Sequence, residues 1–248
     1  MKRTLLLAAM AVIAVSCRNR ATNKADWEIT VDEMENSFSF QNSLAGYSMS
    51  LQQQEETLTS MGFNVWLAGR EEEEGSSIGF DGMCLGVGGS APLGTSGFYF
   101  PEKIDRKYQL LMHSPDRAVM AVFYPKTDIL GTEVSLDKQI TMTAGSPFIQ
   151  VIDHWDGVFE GLNVVAGAVC GDTATVSSQG RVLQVTYAND LNVVIVMPEA
   201  DRYAADGEAG HAYLGQTVTP GTGMYYYVGL FDGDDASISH LTDSILNL

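Results

Sequence analysis

Basic residues are scarce in this chain of 248 residues. Fourteen lysines and arginines stand against 31 aspartates and glutamates, which gives a formal net charge of −17 at pH 7. A nucleic-acid partner is therefore not expected, because neutralising phosphates requires clustered Lys and Arg side chains. The same charge opposes electrostatic attraction between the body of the protein and an anionic membrane surface.

Cysteine and histidine are also rare, with three and four residues. Cys84 and Cys170 lie in apolar, glycine-flanked segments, which favours two buried thiols; a disulfide between them in an oxidising compartment is the alternative. No two histidines have the H-x-x-x-H or H-x-H spacing of a metal site, so we predict neither a metal nor a cofactor. The histidines are His113, His154, His211 and His240.

The N-terminal segment resembles a bacterial lipoprotein signal. Lys2 and Arg3 precede the short apolar run Thr4–Val15, and Ser16 stands directly before Cys17. This layout is typical of a secretory signal, and a cysteine directly after the cut is typical of a lipobox. We predict cleavage of residues 1–16 and a lipid on the Cys17 thiol that anchors the protein to a membrane. A plain signal peptide and an N-terminal anchor helix are the alternatives.

The mature chain divides into a tether and one domain. Residues 17–25 are polar and basic, and residues 26–248 have a length that suits a single β-sandwich. No acidic run follows Cys17, although some lipoproteins that are exported to the cell surface carry one. This absence favours an outer-membrane lipoprotein that faces the periplasm, with surface exposure as the alternative.

Alternating and β-branched runs dominate this domain and predict antiparallel strands. Turn signals separate the runs at short spacing, which indicates a sandwich or barrel rather than βαβ units. The fold we predict is an antiparallel β-sandwich with one short C-terminal helix. The predicted strands are Trp27–Val31, Gly46–Leu51, Phe63–Leu67, Gly82–Val87, Ala118–Tyr124, Glu133–Thr143, Phe148–Trp155, Leu162–Val169, Arg181–Tyr187, Asn192–Met197 and Met224–Leu230.

Two segments are typical of helices. Ala236–Leu246 has an apolar face, and Asp234 or Asp235 is positioned to cap its first turn. The segment Met49–Met61 is a weaker helix candidate, because Gln52–Glu56 is poor strand material.

Three short motifs do not meet the requirements of the sites they resemble. Gly75–Gly79 fits G-x-S-x-G, but no strand precedes the serine and further glycines follow it. Gly86–Ala91 is similar to a dinucleotide fingerprint, but Pro92 and the nearby glycines exclude the helix that such a motif must open, and tight backbone turning explains it better. The aspartates from Asp232 onward lack the Gly and Glu that a calcium loop requires.

Asp153-His154-Trp155-Asp156 is the tetrapeptide richest in reactive groups. On a strand His154 and Asp156 share one face, and an imidazole beside a carboxylate suits acid/base chemistry. An exposed strand end with solvated charges is the alternative. His211 follows an acidic loop and is a second candidate base.

Three aromatic residues are candidates for stacking on sugar rings. They are Trp66, Trp155 and Tyr226, and core packing is the alternative for each. Alternation places Tyr226 on the opposite face from Tyr225 and Tyr227, so at least one side of that run is expected to be core.

Three segments together resemble a known family. They are Gly79–Ala91, Glu133–Trp155 with Ala144-Gly145-Ser146 at its turn, and His211–Gly229 with Tyr226-Tyr227-Val228-Gly229. The family is catalogued as domain of unknown function 4861 and is similar to the β-supersandwich group of galactose mutarotase and many polysaccharide lyases. Phe80 stands where the family usually has Trp, and an upstream histidine is replaced by the region Arg70–Glu74.

This resemblance implies a carbohydrate ligand, because family members tend to be exported proteins of polysaccharide-degrading bacteria. The predicted function is therefore a membrane-anchored periplasmic lipoprotein that acts on or binds oligosaccharides. A non-catalytic glycan-binding or structural envelope protein is the alternative. If the protein is an enzyme, glycoside hydrolysis or lyase chemistry is expected, with Asp81, His154, Asp156 and His211 as acid/base candidates.

Overall fold

The computed structural model describes residues 28–50, 60–71, 73, 75–80, 84–100, 106–129, 131–170, 175–187, 189–207, 210–233 and 237–248. Several predictions concern residues outside these ranges. They include the lipidation site Cys17, the candidate acid Asp81 and the helix-capping aspartates Asp234 and Asp235. Within the described part of the chain, no helix is long and apolar enough to cross a membrane.

The described residues form eighteen strands and one helix. The strands are β1 (Thr30–Met34), β2 (Ser37–Gln41), β3 (Ala45–Ser50), β4 (Asn64–Leu67), β5 (Ser77–Ile78), β6 (Val87–Gly94), β7 (Gly97–Phe98), β8 (Lys107–Ser114), β9 (Arg117–Ile129), β10 (Thr132–Thr143), β11 (Phe148–Gly157), β12 (Leu162–Val169), β13 (Thr175–Ser178), β14 (Val182–Thr186), β15 (Leu191–Val196), β16 (Arg202–Gly207), β17 (His211–Val218) and β18 (Gly223–Asp232). The helix is α1 (Ser237–Leu246).

All strand pairs of the described residues are antiparallel, and they form three sheets. The first has the order β1-β2-β3-β4-β5, and the second, with eight strands, has the order β13-β14-β15-β18-β11-β10-β9-β8. The third has the order β16-β17-β12-β6-β7. The prediction of a mainly β, antiparallel sandwich with one short C-terminal helix is confirmed.

The eight-stranded sheet forms one layer, and its inner face supplies much of the core. In β10, Leu136, Ile140 and Met142 are buried, and in β11 Ile149 and Val151 are buried in the same way. This period of two sends alternate side chains into the core and leaves the others outside. Apolar side chains of the two five-stranded sheets join the same cluster, so these sheets cover the inner face.

An isolated bridge links the two five-stranded sheets. Phe63 pairs with Val87 through backbone hydrogen bonds in both directions, and both side chains are fully buried. The smaller sheets are therefore joined by backbone pairing as well as by the shared core.

Helix α1 covers one end of the outer face of the eight-stranded sheet. Ile238 and Ile245 pack with Val194 and Val196 of β15 and with Phe231 of β18. The predicted C-terminal helix is thus confirmed, and His240 lies on its exposed side. The outer face of β11, β10, β9 and β8 extends beyond this helix-covered cluster.

The local predictions succeeded best for β10, β11 and β12. Strand β12 has the predicted bounds, and β10 and β11 pair through the turn expected at Ala144–Pro147. The strand predicted at Gly82–Val87 is wrong, because β6 begins at Val87 and continues to Gly94. Gly86 and Gly88 have φ values of 60° and 65°, a backbone that glycine accepts readily and that turns the chain into β6. The turn predicted over Gly86–Ala91 is therefore confined to the start of that segment.

The helix predicted over Met49–Met61 is wrong at both of its described ends, since Ser60 and Met61 are not helical either. Met49 and Ser50 belong to strand β3, where Met49 is buried and pairs with Phe38. The burial of Met49 between two strands outweighs the helix propensity of the following residues, of which 51–59 lie outside the described ranges.

Candidate functional site

The open outer face of the eight-stranded sheet carries a cross-strand row of polar and aromatic side chains. Lys107 pairs with Phe123, Phe123 with Asp137, Asp137 with His154, and His154 with Gly223. These residues share one face, because directly paired residues of antiparallel strands point to the same side. Asp137 and His154 are exposed, and Phe123 is 37% exposed.

The neighbouring row adds side-chain amides and tyrosines. Gln139 pairs with Ile152, which pairs with Tyr225, and the Tyr225 side chain is 39% exposed. One row further along, the Gln150 side-chain amide donates a hydrogen bond of 3.1 Å to the Tyr227 hydroxyl. We call Phe123, Asp137, Gln139, His154, Asp156 and Tyr225 the outer-face patch.

Gly223 forms a recess in this patch. A Cβ atom at Gly223 would lie 3.1 Å from Cε1 of His154 and 3.2 Å from Cε2 of Tyr225. The imidazole and the phenol ring therefore both lie over the glycine. A glycine at this position leaves space for the two rings, and any larger residue would have to displace one of them.

Two carboxylates flank His154. Asp137 is its direct cross-strand partner, which places their Cβ atoms about 5 Å apart. Asp156 lies two residues along β11 on the same exposed face, as the sequence predicted. The Oδ1 atom of Asp156 accepts a hydrogen bond of 3.0 Å from the backbone N–H of Gly157. The arrangement places one base and two carboxylates on one open surface.

An open groove borders the patch at the end of β11. It has a volume of about 320 Å³ and is lined by Gly157, Val158, Phe159, Glu160 and Pro220. The turn after β11 and the turn between β17 and β18 form its walls. The groove thus begins one residue after Asp156 of the patch.

Two of the three aromatic candidates face the core. Trp155 is buried on the inner side of β11, and Tyr226 is fully buried on the inner side of β18. The predicted alternation is therefore confirmed, because Tyr225 faces outward and Tyr226 inward. Trp66 is half-buried in β4, where its Nε1–H donates a hydrogen bond of 2.8 Å to Gln41 and its ring lies where a Cβ of Gly46 would be.

Tyr226 belongs to a sealed polar network between the sheets. Lys138 Nζ donates hydrogen bonds to both carboxylate oxygens of Asp153, at 2.7 and 2.9 Å, and to Tyr226 at 2.8 Å. It also donates to Ser90 at 3.0 Å, and the Tyr226 hydroxyl donates to the Gly88 carbonyl at 3.1 Å. The side chains of Lys138 and Asp153 have no solvent exposure.

The electrostatics of this network keep Lys138 protonated. Burial by itself lowers the pKa of Lys138, but the negative charge of Asp153 raises it above the ordinary value. Burial raises the pKa of Tyr226, and Asp153 raises it further. The network therefore holds a charged lysine, a carboxylate and a neutral phenol, and it is closed to any ligand.

His211 lies on a different sheet from His154. It begins β17, is buried, and its Nε2 atom accepts a hydrogen bond of 3.2 Å from the backbone N–H of Leu85. The ring of Phe98 packs against its edge with centroids 5.1 Å apart. The structure thus brings together His154 and Asp156 but places His211 in the other layer.

No disulfide joins Cys84 and Cys170 in the described residues; both are thiols, and each is partly rather than fully buried. Both lie near Tyr187, whose pKa is raised first by burial and then by these two thiols. No group of three or more His, Cys, Asp or Glu side chains in the described ranges is arranged to hold a metal ion.

Sequence reasoning missed Phe123, Asp137, Gln139 and Tyr225 as surface candidates. The alternation of β10 and β11 and the short turn between them carried a usable signal, because hairpin geometry sets which residues of two strands are paired. The pairing with β18 and β9 required the sheet order.

Together the two layers and the open patch define an antiparallel β-sandwich protein. Neither a scan against protein-family models nor a search of curated proteins finds a match to the chain. Among solved structures, the chain is similar to a heparan sulfate lyase HepC mutant from Pedobacter heparinus, with a TM-score of 0.55 and 11% identity. This similarity covers 83% of the chain but only 37% of the lyase.

Two further similar structures come from one protein. YidC from Thermotoga maritima has a TM-score of 0.50 and 10% identity, and the similarity covers 89% of this chain and 58% of YidC. Its periplasmic domain alone has a TM-score of 0.49 and 11% identity, with 88% and 98% covered. The two similarities with TM-scores of 0.50 and 0.55 show a shared fold.

Proposed function

We propose that this protein is a membrane-anchored lipoprotein that binds neutral oligosaccharides on the outer-face patch. The observation that carries the proposal is the cross-strand arrangement of Phe123, Asp137, His154 and Tyr225 on one open sheet face. Exposed aromatic rings can stack on the apolar faces of sugar rings, and the polar groups between them can bond to sugar hydroxyls.

The spacing of the two exposed rings suits a short chain of sugars. Phe123 and Tyr225 are separated by three strand spacings and two residues along the strand, which corresponds to about 16 Å between their Cα atoms. Asp137, Gln139 and His154 lie between them. This length exceeds a single sugar ring, so the proposed ligand is an oligosaccharide.

The charge of the protein favours a neutral ligand. The net charge is −17, and the patch contributes two carboxylates, Asp137 and Asp156. A sulfated polysaccharide, such as the one named for the structurally similar lyase, carries negative charges that these groups would repel. Lys107 is the basic residue in the patch row, and a single lysine does not offset this repulsion.

The lipidated N-terminus would hold this patch at a membrane. The basic start, apolar run and Ser16-Cys17 junction support cleavage before Cys17 and lipid attachment there. The resemblance to the family named above supports a carbohydrate ligand and an exported protein. In this proposal the protein faces the periplasm from the outer membrane.

The test is binding of neutral oligosaccharides by calorimetry to the wild type and to Tyr225→Ala and Phe123→Ala. An aromatic contact contributes about 0.5–1.5 kcal/mol, so each variant should lose about two- to tenfold in affinity. Tyr203→Ala is the matched control, because Tyr203 is 57% exposed on β16 of another sheet. Equal affinities of wild type and both patch variants would refute the assigned surface.

The anchor has a separate test. Wild-type protein expressed in a bacterium with lipoprotein processing should float with membranes in a density gradient, and Cys17→Ser should not. Mass spectrometry should find the lipid on the N-terminal cysteine. Flotation of the Cys17→Ser variant would point to the anchor-helix alternative instead.

The placement of His154 between Asp137 and Asp156 supports a second candidate function, in which the patch cleaves the glycan. His154 would transfer the proton, and a carboxylate would assist it. On a neutral glycan this chemistry is hydrolysis, in which water takes the place of the departing sugar and each cut releases a new reducing end that can be assayed. Turnover by the wild type that His154→Gln abolishes, with ligand binding retained, would establish this function; turnover unaffected by the substitution would exclude it.

A further inference from the structure

The first described residues lie against the edge strand of the large sheet. The Ile29 backbone N–H donates a hydrogen bond of 3.1 Å to Pro115, and the Ile29 carbonyl lies 2.9 Å from Nε2 of His113. At the other end of β1, the Tyr108 hydroxyl donates to the Met34 carbonyl at 3.5 Å. Strand β1 therefore runs alongside β8, and the chain enters the fold at this edge.

The same edge exposes three large apolar side chains. Met34 is 52% exposed, and Leu111 and Met112 are each 49% exposed. Leu111 lies at an irregularity in the pairing of β8 with β9, which shifts the register between Leu110 and Met112. We call Met34, Leu111 and Met112 the apolar edge. Exposed apolar side chains grouped at one edge are a common feature of surfaces that contact a membrane or a partner.

We propose that the apolar edge lies on the bilayer that holds the lipid at Cys17. This inference rests on the proposed lipoprotein anchor. Only residues 18–27 separate Cys17 from Glu28, so the fully extended chain reaches at most about 40 Å. Because the chain enters beside His113, the edge within shortest reach of the membrane is the one that carries these side chains.

Charge decides between a bilayer and a second copy of the chain as the occupant. Asp32, Glu33 and Glu35 lie on or beside β1, and the whole chain has a net charge of −17. Two copies would therefore bring like charges together at this edge, whereas a zwitterionic bilayer presents no such repulsion. The apolar edge should accordingly favour phosphatidylethanolamine and phosphatidylcholine over anionic lipids.

This orientation leaves the outer-face patch open. The sheet would stand on its β8 edge, with its opposite edge, β13, about 34 Å away at the usual strand spacing. The outer face would then stand upright from the bilayer, accessible to a ligand that diffuses along it. Strand β16, which carries Tyr203, packs near β13 and would lie far from the lipid.

The test is photo-crosslinking of the full lipidated chain on phosphatidylethanolamine and phosphatidylcholine vesicles. A benzophenone amino acid replaces Met112 in one sample and Tyr203 in a matched control. We expect lipid adducts at position 112 and almost none at position 203. Adding Leu111→Asp should lower the adduct yield at position 112 about fivefold. The substitution removes the exposed half of the leucine side chain, whose burial in the bilayer would favour this orientation.

Each alternative has its own result. Equal adduct yields at both positions, or none at position 112, would overturn the inference while vesicle flotation still supported the anchor. Crosslinks from position 112 to a second copy of the chain would replace the bilayer with self-association. Failure of the wild-type protein to float with vesicles would overturn both the anchor and this inference, whereas oligosaccharide binding would be judged by its own experiment.

Discussion

The substitution Asp153→Asn should strongly destabilise the protein, because it removes the negative charge that faces Lys138 in the core. The Lys138 ammonium would keep its contacts with Ser90 and Tyr226, but both are neutral. Breaking a fully buried ion pair by removing one partner costs about 3–5 kcal/mol. The cost cannot exceed about 5 kcal/mol at pH 7, because that is the free energy needed to deprotonate a lysine with an ordinary pKa of about 10.4. A neutral Lys138 would no longer need the charge of Asp153.

Equilibrium unfolding in urea measures this loss. Fluorescence of the buried Trp155, two residues from Asp153, and far-ultraviolet circular dichroism should report the same transition. With a slope of about 2–3 kcal/mol per molar urea for a domain of this size, the midpoint should fall by about 1–2 M. The double variant Lys138→Met/Asp153→Leu is the control, since it removes both charges and should recover most of the lost stability.

The pH dependence of stability gives a second readout, because stability should change with pH in opposite directions in the wild type and in Asp153→Asn. In the wild type the pKa of Lys138 is raised, so its contribution persists at neutral pH and is lost above the unfolded value of about 10.4. In Asp153→Asn burial would lower the pKa of Lys138, so stability should rise between pH 7 and pH 10. A loss below about 1 kcal/mol, or a double variant as unstable as the single one, would refute the assigned role of the pair.

Three further outcomes can be checked in the same unfolding assay. Gly88→Ala should lower the free energy of unfolding by more than about 1 kcal/mol, because the position has a φ of 65° and a new Cβ would lie 2.5 Å from Cγ2 of Val228. An unchanged urea midpoint would contradict this. Tyr226→Phe should make stability fall less steeply above pH 10, because burial raises the pKa of the phenol and unfolding would release its proton there; a slope equal to that of the wild type would argue against it. Ile245→Ala should lower the free energy of unfolding by about 2–4 kcal/mol, because it opens a cavity under α1; an unchanged urea midpoint would show that the helix contributes little.

Much of the fold was readable from local patterns. The turn at Ala144–Pro147 and the alternation on either side predicted the β10–β11 hairpin, and the alternation of Tyr225 and Tyr226 predicted opposite faces for the two rings. These predictions succeeded because side-chain direction in a strand has a period of two that depends only on neighbouring residues. Strand β6 was misplaced because its start depends on glycines whose positive φ values no apolar pattern reveals.

The candidate site was less predictable for a physical reason. His154 and Asp156 were recognised on one face, since they belong to one strand. Asp137 could have been added from the hairpin register, whereas Tyr225 and Phe123 join the patch only through the neighbouring strands β18 and β9. The burial of Lys138 could have been predicted, because it shares one face of β10 with the buried Leu136 and Ile140. Its hydrogen-bond partners could not, because they come from three other strands.

The sequence by itself determined that the chain is mainly β, which residues alternate across β10, β11 and β18, and how acidic the whole chain is. The tertiary structure decided which of the two faces is core, because that depends on which strands are neighbours in the sheet. It placed Gly223 beside His154 although the two are far apart in sequence, and it enclosed Tyr226 while leaving Tyr225 in solvent. Local patterns are limited to one strand, whereas burial and the assembly of a site depend on contacts between strands that are distant along the chain.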